Sequence, residues 1–112
     1  MTDKQLQAIR NRNRQIIEHS NRFGSQSNHI RFSDTESYAH FLRKCVICWE
    51  LMREGKEFYT EARMLGGGRA DIVNLDDGEI IEVVVSEREE SIVRKQNNYP
   101  YGFRLRIDRL AM

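Results

Sequence analysis

The chain lacks the features that mark membrane and secreted proteins. It has one proline, two cysteines and no apolar run near the ~20 residues that a membrane-spanning helix requires. Its N-terminus also lacks the hydrophobic core of a secretory signal. Two unpaired cysteines fit a reducing compartment. We therefore expect a cytoplasmic protein that does not enter a membrane.

The two cysteines, Cys45 and Cys48, form a C-x-x-C, a spacing known from zinc and redox sites. No second Cys or Cys/His pair stands nearby to complete a zinc site, and no thioredoxin-like strand precedes them. Cysteine is often buried simply as a small hydrophobic residue. We therefore interpret both cysteines as packing residues of a helix.

The net charge is only +1, but it is unevenly distributed. Residues 1–32 hold six basic and two acidic residues (6 − 2 = +4), and the remaining 80 hold 12 basic and 15 acidic ones (12 − 15 = −3). This balance excludes a global attraction to nucleic acid or membrane. It predicts a basic N-terminal arm over 1–32 and an acid-bearing core over 33–112. Such an arm is typical of a contact with a polyanion and equally of a solvated polar helix.

The sequence predicts a weak helix over 3–20 and a strong one over 34–54. The strong helix follows a capping box at Ser33-Asp34-Thr35-Glu36 and ends at Gly55. We expect it to be covered by the sheet on one side and by the arm or a partner on the other, because its apolar residues fall on two sides. The broader side holds Tyr38, Phe41, Leu42, Cys45, Val46, Trp49 and Met52, and the narrower side holds Ile47, Cys48 and Leu51.

Strands are predicted over 57–64, 69–75, 79–85 and 103–108, with a second helix over 87–98. Asp76-Asp77-Gly78 predicts a hairpin turn in which Gly78 takes a positive φ. The order α-α-β-β-β-α-β predicts an α/β fold with a mixed four-stranded sheet flanked by helices.

Three of these strands carry an acid: Glu61, Asp71 and Glu82. A carboxylate in the middle of a β-branched strand such as 79–85 has to be paired, neutralised or bound to a metal. Two carboxylates on neighbouring strands can share Mg²⁺, which prefers oxygen ligands. The alternative is a salt-bridged acid, with Asp71 paired to Arg69 or Arg63.

The motifs Arg69-Ala70-Asp71 and, eleven positions on from the aspartate, Ile81-Glu82-Val83-Val84 resemble those of the PD-(D/E)XK nuclease superfamily. Within it, the chain is similar to small archaeal, phage and viral members of the Holliday-junction-resolvase type. The resemblance covers about residues 34–108 and implies a restriction-endonuclease-like core. It also implies that Asp71 and Glu82 bind Mg²⁺ (or Mn²⁺) and that Glu61 assists.

The chain departs from this family at Val84, where the family has a lysine that activates the attacking water. The resemblance offers two replacements, Lys44 on the long helix and Lys95 on the following one. Lys44 stands in a His-x-x-x-Lys step with His40, for which a solvated or ion-paired helix face is the alternative interpretation. The resemblance gives Glu50 as the candidate for the helix acid of the family, with Glu61 on the first strand as a second one.

The function implied by the resemblance is metal-dependent endonuclease activity on DNA phosphodiester bonds, including those of structured DNA. Phosphate contacts are expected from Arg10, Arg12, Arg14 and Arg69. A homodimer is compatible with it, since resolvase-like relatives pair. The alternative is a catalytically inactive nuclease-fold module that binds DNA or a protein partner. A third possibility is a protein-binding or assembly role through the two-sided helix 34–54, with self-association as its observable.

Overall fold

The computed structural model describes residues 1–18, 26–85 and 102–110. The elements in chain order are α1 (Asp3–Arg14), α2 (Tyr38–Arg53), β1 (Phe58–Arg63), β2 (Arg69–Asn74), β3 (Glu79–Val84) and β4 (Arg104–Arg109). The α/β class with a mixed four-stranded sheet is confirmed. The predicted helix over 87–98, which includes Lys95, lies outside the described residues, so the full element order stays a prediction. None of the described helices is long and apolar enough to cross a membrane.

The sheet has the strand order β1-β2-β3-β4. The first three strands are antiparallel neighbours, and β4 lies parallel to β3. The turn between β2 and β3 places Gly78 at φ 61°, as predicted. The β-branched run of β3 becomes an inner strand, which suits its burial on both faces.

Each face of the sheet carries its own apolar core. Neighbouring residues of β3, Ile80 and Ile81, lie in opposite cores, as strand alternation predicts. The core beneath α1 and its following residues contains Ile17, Tyr59, Ala62, Met64, Ala70, Val73, Leu75 and Ile80. The core beneath α2 contains Ile47, Cys48, Leu51, Phe58, Ile72, Ile81 and Val83.

The N-terminal arm packs on the body. Thr2 and Gln5 form a capping box at the start of α1. Near the end of the helix, the Asn13 side chain donates to the Leu75 carbonyl at 2.5 Å. Ile17 is fully buried. The arm up to Ile17 therefore packs on the sheet, in a position that the sequence left open.

Helix α2 begins at Tyr38, four residues later than predicted. Its N-cap is Ser37, whose hydroxyl accepts from the His40 amide at 3.1 Å. The predicted box forms a turn ahead of the helix, in which the Glu36 carboxylate accepts from the Ser33 amide at 2.9 Å. Glu36 lies ahead of the helix, in a position from which its carboxylate also binds side chains of α2, as described below.

The narrower apolar side of α2 faces the sheet. Cys48 is fully buried there, and this burial raises the pKa of its thiol to about 12. Such a thiol is unreactive at neutral pH. Cys45 is half-buried, and both cysteines are reduced. The interpretation of Cys48 as a packing residue therefore agrees with its position in the core.

Candidate functional site

The three acids predicted from the sequence form one row across the sheet. In the β1–β2 register Glu61 stands opposite Asp71, between two regular pairs. In the β2–β3 register Asp71 stands beside Glu82, one step beyond the Ile72/Ile81 pair. Regular backbone pairing lapses at this row on both sides of β2. The acids therefore lie where the sheet is interrupted.

Glu61 has a backbone conformation that a strand residue rarely adopts. Its φ is 48°, in the left-handed region, which costs a residue with a Cβ on the order of 1–3 kcal/mol. Tyr59 and Ala62, three residues apart, both lie in the core beneath α1, so side-chain alternation slips by one residue at Glu61. The slip turns Glu61 towards α2 instead of α1.

Strand β2 carries a matching slip at Asp71. Ala70 and Val73, again three residues apart, share the core beneath α1. The Asp71 carboxylate takes part in the sheet, because its Oδ2 accepts the Val83 backbone amide at 2.8 Å. Both acids are thus directed to the side of the sheet that α2 covers.

Lys44 of α2 meets Glu61 in the interior. Its Nζ donates to the Arg31 carbonyl at 2.7 Å, to Glu36 Oε2 at 3.0 Å and to Glu61 Oε1 at 3.0 Å. An ammonium has three protons, so these contacts use its full donor capacity. The Lys44 side chain has 0% exposure, and the side chains of Glu36 and Glu61 have 4% and 8%. This is a buried, fully hydrogen-bonded ion cluster.

His40 links this cluster to Asp71. Its Nδ1 lies 2.7 Å from Glu36 Oε1, and its Nε2 lies 3.2 Å from Asp71 Oδ2. Burial raises the pKa of Glu36, but hydrogen bonds from the Ser33 amide, His40 and Lys44 outweigh it, and the net shift is downward. Glu36 was missed as a site residue because it was interpreted as a helix cap. The four-residue spacing of Glu36, His40 and Lys44 is the signal that identifies it.

Next to the acid row, an open cavity of about 440 Å³ lies between the sheet and the start of α2. Its wall includes Arg69, whose side chain is 49% exposed and whose Nε lies 3.1 Å from Glu61 Oε2. The lining residues are Ser33, Thr35, Glu36, Ser37, His40, Glu61, Arg69, Asp71, Glu82, Val83 and Val85.

Comparison of the chain with known protein families, with curated proteins and with solved structures finds no match. The resemblance to the PD-(D/E)XK nucleases therefore rests on the motif residues and their placement alone. Membership of that superfamily stays a prediction.

The carboxylates that border the cavity fit a hydrated divalent cation better than a metal cage made of protein ligands alone. Both hydrogen bonds of Asp71 use Oδ2, and its Oδ1 accepts none from the described residues. Glu82 is 1% exposed and borders the same cavity. Regular alternation sets Glu82 on the face of Ile80, whereas the Asp71 side chain is directed to the face that α2 covers, and both residues border the cavity.

Mg²⁺ is usually held by one or two carboxylates and keeps several waters. Across residues 1–18, 26–85 and 102–110 no group of three or more His, Cys, Asp or Glu side chains is arranged to hold a metal ion. The Mg²⁺ or Mn²⁺ cofactor therefore stays a prediction.

The remaining predicted residues lie in different settings. Val84 is buried at the end of β3. Glu50 is exposed and does not line the cavity. Lys95 lies outside the described residues. Of the two candidate replacements for the family lysine, Lys44 is the one that is described, and it contacts Glu61.

The four predicted phosphate contacts divide into two groups. Arg10 forms a two-point ion pair with Asp76, and Arg14 pairs with Glu57, so both bind α1 to the body. The Arg12 side chain is exposed and forms no ion pair within the described part of the chain. Arg12 and the half-exposed Arg69 are thus the two that present charge to a ligand, and all four assignments stay predictions.

Proposed function

We propose that the cavity is the active site of a metal-dependent endonuclease that acts on DNA phosphodiester bonds, including those of branched DNA. The observation that carries the proposal is the burial of Lys44 against the acid row, which supplies a cation near the motif where Val84 supplies none. Asp71 and Glu82 would hold Mg²⁺ or Mn²⁺. Such a cation lowers the pKa of bound water and stabilises charge on a phosphate.

Lys44 makes the acid row compatible with a phosphate. The row and Glu36 together carry four carboxylates, which by themselves repel an anion. The Lys44 ammonium neutralises part of this charge through its contacts with Glu36 and Glu61. Arg69 compensates Glu61 from the exposed side of the cavity.

Arg69 has the position of a substrate contact. It lines the cavity, half of its side chain is exposed, and its guanidinium can bind a phosphate in two-point fashion. Arg12 on α1 would add a contact outside the cavity. These contacts are independent of base sequence and weaken as salt concentration rises.

The proposal is tested by incubating the protein with supercoiled plasmid, single-stranded DNA and a four-way junction, with Mg²⁺, Mn²⁺ or EDTA. We expect cleavage that requires the metal. Asp71→Asn and Glu82→Gln should each lower the rate about 100-fold or more, because removal of a charged group at such a centre typically costs several kcal/mol. Lys44→Met should also lower the rate, because it removes the cation beside the acid row. Lys56→Met is its matched control, since Lys56 pairs with exposed acids at the other end of the hairpin.

The second candidate is a nuclease-like module that binds DNA without cleaving it. Val84 and the ion pairing of Glu61 with Lys44 favour it, because both reduce the groups available for chemistry. Salt-dependent DNA binding that persists in Asp71→Asn and Glu82→Gln, without cleavage under any metal, supports this candidate. Absence of both cleavage and binding at high micromolar protein contradicts both.

A further inference from the structure

The broader apolar side of α2 is exposed. Tyr38, Leu42, Val46 and Trp49 follow one another at helical spacing, and Trp49 is 59% exposed. Apolar residues of the preceding segment lie beside them and form two grooves along the helix. The surface, here called the α2 apolar face, consists of Ile30, Phe32, Tyr38, Leu42, Val46, Trp49 and Met52.

This face is larger than a monomeric protein usually exposes. Its side chains are 38–79% exposed. With roughly 150–250 Å² for an aromatic side chain and less for an aliphatic one, the face amounts to on the order of 700 Å². Contiguous apolar patches beyond a few hundred Å² mark interaction surfaces. A standard interface buries about 800 Å² per partner, so the face has the area that one partner contributes.

The face carries little charge. Arg53, which lies over the Trp49 ring at 5.2 Å, is the one charged residue of α2 in contact with its aromatic residues at this end. The neighbouring cations Arg43 and Lys44 point elsewhere, to Asp108 and Glu61. Among the described residues that line the two grooves, Glu36 at the start of α2 is the one with a charge.

We infer that the α2 apolar face binds a second copy of the same face, with the two α2 helices antiparallel about a two-fold axis. An axis between Cys45 and Val46 sets Trp49 of each copy opposite Leu42 of the other, so that a large side chain meets a smaller one. Two-fold interfaces require such self-complementarity. Arg53 of each copy then approaches Tyr38 of the other, where its guanidinium stacks on a second ring.

Residues 1–18 of the arm do not provide this cover. Helix α1 is bound to the β2–β3 turn through Arg10 and Asp76, and Ile17 lies in the core on the opposite side of the sheet. Within residues 1–18, 26–85 and 102–110 no segment lies over the middle of the face, where Val46 and Trp49 are exposed. The inference is independent of the proposed nuclease function, since none of its residues belongs to the acid row.

Sedimentation equilibrium of the full chain, from about 1 to 100 μM, tests the pairing. We expect a dimer whose Kd weakens on the order of 30-fold or more in Trp49→Glu, as for a central interface residue. Leu65→Glu is the matched control, because Leu65 is 64% exposed in the β1–β2 loop, away from the face. Circular dichroism establishes that both variants are folded.

A short bismaleimide tests the position of the axis. Cys45 of the two copies lies close to it and should be cross-linked, whereas Cys45→Ser should abolish the product, since Cys48 is buried. If the wild type is a monomer at 100 μM, the inference is wrong. This holds both if another segment of the chain covers the face and if the face is left uncovered. A dimer that survives Trp49→Glu, or that gives no Cys45 product, overturns it as well.

Discussion

Replacement of Lys44 by methionine removes the centre of the buried ion cluster. Methionine keeps most of the length and apolar volume of the lysine stem but has no charge and no donor. Three acceptors lose a hydrogen bond: the Arg31 carbonyl and one oxygen each of Glu36 and Glu61. Two carboxylates that are almost fully buried then lack their nearest cation.

The loss of stability in Lys44→Met depends on the partners that Glu36 and Glu61 retain. Removal of one partner from a buried ion pair typically costs about 3–5 kcal/mol, because an uncompensated charge stays behind. Glu36 keeps the Ser33 amide and His40, and Glu61 keeps Arg69, so we expect the lower end, about 3 kcal/mol. This is a large fraction of the roughly 5–15 kcal/mol that a domain has in total. The melting temperature should fall by roughly 10–20 °C.

Urea unfolding at pH 7, followed by circular dichroism at one fixed protein concentration, measures the effect. Lys56→Met is the control, because the partners of Lys56, Glu54 and Asp77, are 54% and 35% exposed. Exposed pairs contribute about 0–1 kcal/mol, so this variant should lose no more than that. The double variant Lys44→Met/Glu61→Gln should regain part of the loss, since it no longer buries a second charge.

A Lys44→Met protein within about 1 kcal/mol of the wild type refutes the reasoning, because such a cost belongs to a solvated lysine. Equal losses in Lys44→Met and Lys56→Met contradict it in the same way. A double variant that is less stable than Lys44→Met shows that the Glu61 charge is compensated without Lys44.

Two further predictions concern acid stability and the hairpin turn. The hydrogen bond from Arg43 lowers the pKa of Asp108 below the ordinary 3.8, and the one from Lys56 does the same for Asp77. The pKa of Glu36 also lies below its ordinary 4.5. The contribution of these carboxylates to the free energy of unfolding is complete above these ordinary pKa values and is lost as the pH falls below them. The free energy of unfolding in urea should therefore drop between pH 5 and pH 3. A profile that is flat over this range contradicts the prediction. Gly78→Ala should lower the free energy of unfolding by about 1–2 kcal/mol, because a φ of 61° is unfavourable for alanine. Gly66 does not have a positive φ, so Gly66→Ala should be near neutral in the same unfolding assay.

Local patterns in the sequence were sufficient to predict most of the fold. Strand alternation placed Ile80 and Ile81 in opposite cores, and the turn residue Gly78 has the predicted conformation. The predicted start of α2 is wrong by four residues. The capping box at Ser33 is complete as a local motif and therefore predicts a helix start at that point. Its glutamate accepts from the Ser33 amide as the motif predicts, but it also binds Lys44, eight residues away, and lies ahead of the helix.

The site was predictable in part for the same reason. An acid in the middle of a β-branched strand is a local anomaly, and it led to Glu82. The alignment of Glu61 with Asp71 depends on the register between β1 and β2. That register is set by the length of the connecting hairpin when the two strands pair. The slip at both residues is not predictable from a strand pattern, because strict alternation assigns Glu61 to the face of Tyr59, opposite to the face from which Lys44 reaches it.

The slip and the buried lysine explain each other. A regular β1 strand would direct Glu61 towards α1 and leave Lys44 with Glu36 as its one carboxylate partner. The left-handed backbone at Glu61 costs on the order of 1–3 kcal/mol. A regular strand would separate Glu61 from the fully buried Lys44 ammonium, and loss of a partner from a buried pair typically costs about 3–5 kcal/mol, which exceeds the backbone cost. With valine at position 84, a cation reaches the acid row from the helix only if the strand turns its glutamate to meet it. We therefore expect that Glu61 loses its left-handed conformation in Lys44→Met, which a crystal structure of that variant would reveal; an unchanged φ would mean that the strand is distorted for another reason.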